Sequence, residues 1–324
     1  MIRRRLLACT AILLLPRPTA GPLAYVSNER DRSISVIDVG AARLVATIPV
    51  PGRPRGIRVT GGGRTVLVAL SDVQRNRTGS EDAIAVIDAA KRRVVARYAA
   101  GSDPEQFDVT PDGRLLVAAN EDAGTASVIA LPGGKALATL VVGIEPEGVA
   151  VSPDGRRAYV TAETSNTVSV IDLAAREVVN NLLVDVRPRA VAVSPDGRLV
   201  YVTAEIGGTL TTFDARTGEQ VAAVAFGDGD AKPVGVAVSP DGREVYVATG
   251  RGNSVAVVDA SGRKLLATIP VGRRPWGIAV TPDGRRLLSA NGVSNDVSII
   301  EAATRKVVGT VKAGAGPWGI AVAP

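Results

Sequence analysis

Nine side chains able to do chemistry stand at two fixed places in a frame that recurs about every 42 residues. Arg55, Glu105, Glu147, Arg189, Trp276 and Trp318 each follow a proline, and Glu121, Glu163 and Glu205 each follow an apolar run. Paired carboxylates such as Glu147 and Glu163 could divide acid and base work. Carboxylates with backbone carbonyls could also hold Ca²⁺. Five clustered glutamates repel one another unless a cation or the flanking arginines neutralise them. The rest of the composition narrows the chemistry. The chain has no His, and its single Cys and single Met are Cys9 and Met1. That removes Ser-His and Cys-His nucleophiles and the conventional zinc, copper and haem ligand sets.

The frame itself reads as strands and turns. Its cleanest copy is 146–188, PEGVAVSPDGRRAYVTAETSNTVSVIDLAAREVVNNLLVDVRP. The leading proline returns at Pro54, Pro104, Pro146, Pro188, Pro233, Pro275 and Pro317. Four short runs rich in Val, Ile, Tyr and Thr fill each unit: 148–151, 158–162, 167–171 and 178–184 in this copy. Ser152-Pro-Asp-Gly155 supplies tight-turn chemistry between the first two. Four antiparallel strands per 42 residues is the period of a propeller blade. Seven copies of the third strand occur. The chain starts its repeats mid-unit at Tyr25 and ends on a lone first strand, 319–322. The expected fold is therefore all-β, a seven-bladed propeller of four-stranded antiparallel blades. The C-terminal strand joins the N-terminal blade, which closes the ring and hides its edges.

Strand direction sorts the loops. The Pro-x-Gly segments and the ends of the second strands share one face, here the upper. The SPDG turns and the Asp38, Asp88, Asp172, Asp214 and Asp259 hairpins share the other. The nine residues above therefore belong at the upper mouth of the central channel and are candidates for ligand or partner binding. No catalytic residue, metal site or bound cofactor is assigned. Plainer readings stand beside these. A Glu after the second strand can serve blade-to-blade backbone. The arginines can simply pair with the glutamates, and the tryptophans can pack together or cap the channel. The third-strand Asp residues read as turn formers, and the insertion Asp72–Asp82 as a solvated loop rather than a Ca²⁺ loop.

Residues 1–20 differ from the rest: Arg3-Arg4-Arg5, an apolar run from Leu6 to Leu15, then small residues to Ala20. That order is expected of a secretory signal peptide cleaved near 20–24, leaving 21–324 as a single propeller domain. The expected location is the periplasm, without a transmembrane anchor and as a monomer. Without the leader, 34 basic residues face 32 acidic ones. There is no basic stripe interleaved with aromatics, so nucleic acid is not an expected partner.

Tyr25-Val26-Ser27-Asn28, Tyr159-Val160-Thr161, Tyr201-Val202-Thr203 and Tyr246-Val247-Ala248-Thr249 resemble the signature strand of the YVTN-type propeller repeat across 23–324. Within that family the chain looks most like exported seven-bladed proteins associated with PQQ-dependent catabolism. The resemblance implies a non-enzymatic periplasmic binding or scaffold protein in quinoprotein alcohol catabolism. Its implied protein partners are a periplasmic quinoprotein dehydrogenase or transporter components. Alternatives are a small-ligand or Ca²⁺-binding module and a carboxylate-based, lactonase-like hydrolase. The metal or His-based sites of lactonase-like propellers do not carry over to a chain without His.

Overall fold

The computed structural model describes residues 21–72, 82–227 and 229–323. The leader expected over 1–20 and most of the Asp72–Asp82 insertion lie outside the described residues. Seven four-stranded antiparallel sheets form the blades. In the type unit they run Pro146–Val151, Arg157–Ala162, Thr167–Asp172 and Glu177–Leu183. The first blade is completed by the chain end, with Pro317–Val322 pairing onto Leu23–Asn28. The ring closes as the offset repeats require.

Each SPDG turn is held the same way. Ser152 Oγ donates to Asp154 Oδ1 at 2.6 Å. The Arg156 backbone N–H donates to the same oxygen, and Gly155 takes the left-handed φ of +69°. These donors, the Ser152 hydroxyl foremost, hold the Asp154 carboxyl below its ordinary value. The third-strand aspartates form turns as expected: Asp172 Oδ1 accepts from the N–H groups of Ala174 and Ala175.

The apolar core is divided into slabs between neighbouring blades. One slab joins Val149, Val160 and Ile171 to Val117 and Val128 of the blade before. Another joins Tyr159, Val168 and Val170 to Val191, Val200 and Phe213 of the blade after. The alternation of each strand therefore feeds two slabs.

What places the variable side chains is a β-bulge. Pro146 pairs with Ala162, and then pairing resumes at Val149 with Val160. Glu147 and Gly148 thus share one partner position, which takes Glu147 off the ladder and aims it inward. The same shift recurs at Pro54/Ile57, Pro104/Phe107, Pro188/Val191 and Pro275/Ile278. The hydroxyl of the second strand ties the bulge to the next blade. Thr161 Oγ1 accepts from Gly148 N at 2.7 Å and donates to Arg189 O at 3.1 Å. Ser27 does the same between Gly319 N and Arg55 O, as does Thr203 between Ala190 N and Val234 O. At the bulge, blade-to-blade backbone is thus tied by Ser and Thr hydroxyls. The glycine of Pro-x-Gly is required by this close approach. A Cβ on Gly148, Gly235 or Gly277 would come within 3 Å of the carbonyl oxygen of Arg189, Trp276 or Trp318.

Candidate functional site

Around the ring, the residues after the repeat prolines run Trp318, Arg55, Glu105, Glu147, Arg189, Val234, Trp276. The arginines do not merely flank an acidic sector; they bind it. Arg55 Nη1 donates to Glu105 Oε2 at 2.7 Å, and its Nε lies 3.3 Å from Glu29 Oε1. Arg189 Nη1 donates to Glu147 Oε1 at 2.9 Å and also contacts the Glu163 carboxylate, with Glu205 at 3.7 Å from its Nε. Arg55 also lies 5.2 Å from the ring centre of Trp318, and Arg189 lies 5.5 Å from that of Trp276. The acidic and aromatic sectors are joined by cation–π stacks. Arg189 spans a whole blade to do so. The residue between them is the smaller Val234, on a blade whose inner strand begins only at Val236.

Three arginines that the sequence reading did not single out complete the network. Arg53 binds Asp103 at 2.9 Å and Glu29 at 3.4 Å. Arg187 binds Glu163 at 2.7 Å and Glu205 at 3.4 Å. Arg274 stacks on Trp276 at 4.7 Å and lies 3.9 Å from Glu205. They share one place in the frame: Arg53, Asp103, Arg187 and Arg274 each stand directly before a repeat proline. Asp103, Arg187 and Arg274 hold φ near +50 to +65° there, which turns the side chain back over the mouth. A third variable position in the repeat was the available signal.

Glu147 and Glu163, one possible acid/base couple, are brought together on Arg189, and both contact its guanidinium. Glu105 and Glu121 lie against each other at the ends of adjacent strands of one blade. Burial pushes the Glu105 carboxyl well above the usual glutamate range; Arg55 opposes this, and Glu147 and Glu121 add to it. Burial also raises Glu121, helped by Glu147 and Asp103. Glu105 is fully buried, and its Oε1 has no hydrogen-bond donor among the described residues. Asp103, Glu105 and Glu121 also offer oxygens within 4.8 Å of one another, a spacing a cation could use. Arg53 and Arg55 already neutralise much of that charge.

Below the ring, a cavity of about 350 Å³ runs down the channel between the inner strands. Its walls are mostly aliphatic, with Trp276 and Trp318 beside it. The ionisable residues among its lining are Glu147, Arg189 and Arg58, and Arg58 pairs with Asp108 at 3.1 Å. Of the nine candidates, Glu147, Arg189, Trp276 and Trp318 line this cavity. Arg55, Glu105, Glu163 and Glu205 stand in the ion-pair ring above it, with Glu121 beside Glu105. A carboxylate, a guanidinium and two indoles at the head of a cavity can bind a small ring compound, deprotonate a water and stabilise an oxyanion.

A family model described as lactonase, 7-bladed beta-propeller, matches residues 20–145 and 181–322. A second model, the choice-of-anchor I domain, matches 122–183. No curated protein matches the chain. Among solved structures, hydrazine synthase of Kuenenia stuttgartiensis aligns with a TM-score of 0.77 at 21% identity, covering 91% of this chain and 99% of that one. A protein of Desulfotomaculum acetoxidans described as functionally unknown aligns with a TM-score of 0.78 at 21% identity, over 93% and 98%. A candidate 6-phosphogluconolactonase of Bacteroides fragilis aligns with a TM-score of 0.76 at 18% identity, over 95% and 100%. These structures show the fold. The family match overturns the expectation of a non-enzymatic scaffold in PQQ-dependent catabolism, because it runs along most of the ring and points to a hydrolase. The chain belongs to the lactonase family of seven-bladed β-propellers.

Proposed function

We propose that the protein hydrolyses a lactone at the head of the central cavity. The observation that carries this reading is the Glu147–Arg189 pair, the one carboxylate and its 2.9 Å guanidinium among the residues lining that cavity. Family membership supports the reaction class, and the absence of His assigns the proton work to a carboxylate. Glu147 takes a proton from a water as that water adds to the lactone carbonyl. The oxyanion of the tetrahedral adduct faces Arg189. Collapse breaks the ring C–O bond, and the Glu147 carboxyl returns the proton to the departing alkoxide, giving the open hydroxy acid. Glu163 and Glu205 hold Arg189 in place from its other side.

The Tyr-Val-Thr strands support a YVTN-type lineage within the family, and the order of 1–20 supports an exported enzyme. The test is lactone turnover above the spontaneous rate, with wild type and Glu147→Gln. Loss of a positioned base should lower kcat/KM by about 100-fold or more. Wild-type turnover retained in Glu147→Gln would remove Glu147 from the reaction, and no turnover of any lactone by the wild type would end the proposal.

A further inference from the structure

Resting on the lactone-hydrolase reading, we infer that the substrate is an uncharged lactone bearing ring hydroxyl groups, and not its phosphate ester. Charge is the first argument. Both cations that line the cavity are already committed, Arg58 to Asp108 and Arg189 to three glutamates. At the mouth, the five arginines described above face seven carboxylates, Glu29 included. A phosphate monoester carries about −1.5 to −2. Among the described residues of the cavity it would find no cation beyond these two paired ones, of which Arg189 already serves the oxyanion, and at the mouth it would meet more carboxylates than arginines.

Hydrogen-bond chemistry is the second argument. Gln106 lines the cavity, and its buried Oε1 has no donor. Glu147 adds carboxylate oxygens. Such a wall asks for a ligand that donates, as hydroxyl groups do. The indoles of Trp276 and Trp318 offer broad apolar planes for the C–H face of a ring. A cavity of about 350 Å³ admits a single-ring compound and lies at the small end of the roughly 300–1,000 Å³ usual for such sites.

The experiment compares glucono-1,5-lactone, its 6-phosphate and γ-butyrolactone on the whole protein, reading kcat/KM. In parallel, gluconolactam and its 6-phosphate are titrated by tryptophan fluorescence. The chain's two tryptophans both line the cavity, so emission reports on it alone. Glucono-1,5-lactone should exceed its phosphate by about tenfold or more, because the ester places like charges together. It should also exceed γ-butyrolactone, which cannot donate to Gln106. A phosphate ester turned over as well or better overturns the charge argument and leaves the lactone-hydrolase reading standing. Equal turnover of γ-butyrolactone overturns the hydroxyl argument. Should no lactone turn over, the hydrolase reading fails by itself. The titration then decides: tighter binding of the uncharged lactam supports the inference, while binding of neither lactam, or preference for its phosphate, overturns it.

Discussion

Replacing Arg189 with Met keeps an unbranched apolar stem and removes the guanidinium with its charge. Its three carboxylate partners do not suffer equally. Glu163 keeps Arg187 at 2.7 Å, and Glu205 keeps Arg187 at 3.4 Å and Arg274 at 3.9 Å. Glu147 has Arg189 as its one ion-pair partner among the described residues, and it is only 4% exposed. The substitution therefore orphans one buried carboxylate. Breaking a buried pair in this way costs about 3–5 kcal/mol. An orphaned carboxylate has an escape, which is to take up a proton. For an ordinary glutamate near 4.3, each pH unit is worth about 1.4 kcal/mol, so protonation at pH 7 costs about 3.7 kcal/mol. That figure caps the loss. At pH 5.5 the cap falls to about 1.6 kcal/mol.

The assay is denaturant unfolding of wild type, Arg189→Met, Glu147→Gln and the double variant, at pH 7 and 5.5. Arg189→Met should lose about 3–4 kcal/mol at pH 7 and about half that at pH 5.5. The double variant should recover most of the loss, since the amide needs no counter-charge. A loss that is the same at both pH values, or one the double variant does not relieve, would refute the account. The stability of the site would then rest on the Arg189–Trp276 stack and not on the orphaned charge.

Two further outcomes follow from the ring. Gly235→Ala would drive a Cβ onto the Trp276 carbonyl oxygen of the next blade, and should cost about 1–3 kcal/mol as overpacking, seen as a lower Tm. The Glu105–Glu121 pair gives an unusual pH dependence. Because burial raises both carboxyls above the ordinary glutamate value of 4.5, the folded state binds a proton that the unfolded chain releases. This contribution is fully present below pH 4.5 and is lost as pH rises through the folded value. The SPDG aspartates act oppositely: Asp154 and Asp196 sit below 3.8, so their contribution is present above that pH and fades as pH falls through the folded value. Glu105→Gln should flatten the decline above pH 4.5 and leave the acid side unchanged in stability–pH curves.

The sequence revealed the fold through its repeat. The third strands Ser33–Asp38, Ala83–Asp88 and Ser254–Asp259 fall where the pattern put them, because alternation and turn chemistry act within a few residues. The nine candidates were legible as departures from consensus, and the strand directions placed them on one face. Which of them would touch was not legible. Two facts decided it. The bulge at Pro-x-Gly aims the x residue along the ring toward its neighbours, and Arg189 is long enough to pass Val234 and reach Trp276. Neither is a property of one repeat. The place before each proline was less legible because it holds Gly316 in one copy and charges in the others; Gly316 shares a left-handed backbone there with Asp103, Glu145, Arg187 and Arg274.

The departures from consensus are largely spent on one another. Arg55 meets Glu105, 50 residues on, and Arg189 meets Glu147, 42 residues back; each separation is one repeat, so both pairs join adjacent blades. A mutation in either partner is therefore felt across a blade boundary. What the pairing leaves available to a ligand is small. It is the cavity-facing side of Glu147, the vacant acceptor of Gln106 and the two indoles. The ion pairs hold this remainder still, because a carboxylate fixed by a guanidinium that is itself fixed by two more carboxylates has little freedom to move. Preorganisation of that kind is what a hydrolytic site requires when it lacks a histidine, since electrostatic stabilisation depends on charges already in place when the oxyanion forms. The consensus supplies a closed ring, and the compensated charges at its mouth turn one end of that ring into a fixed electrostatic surface.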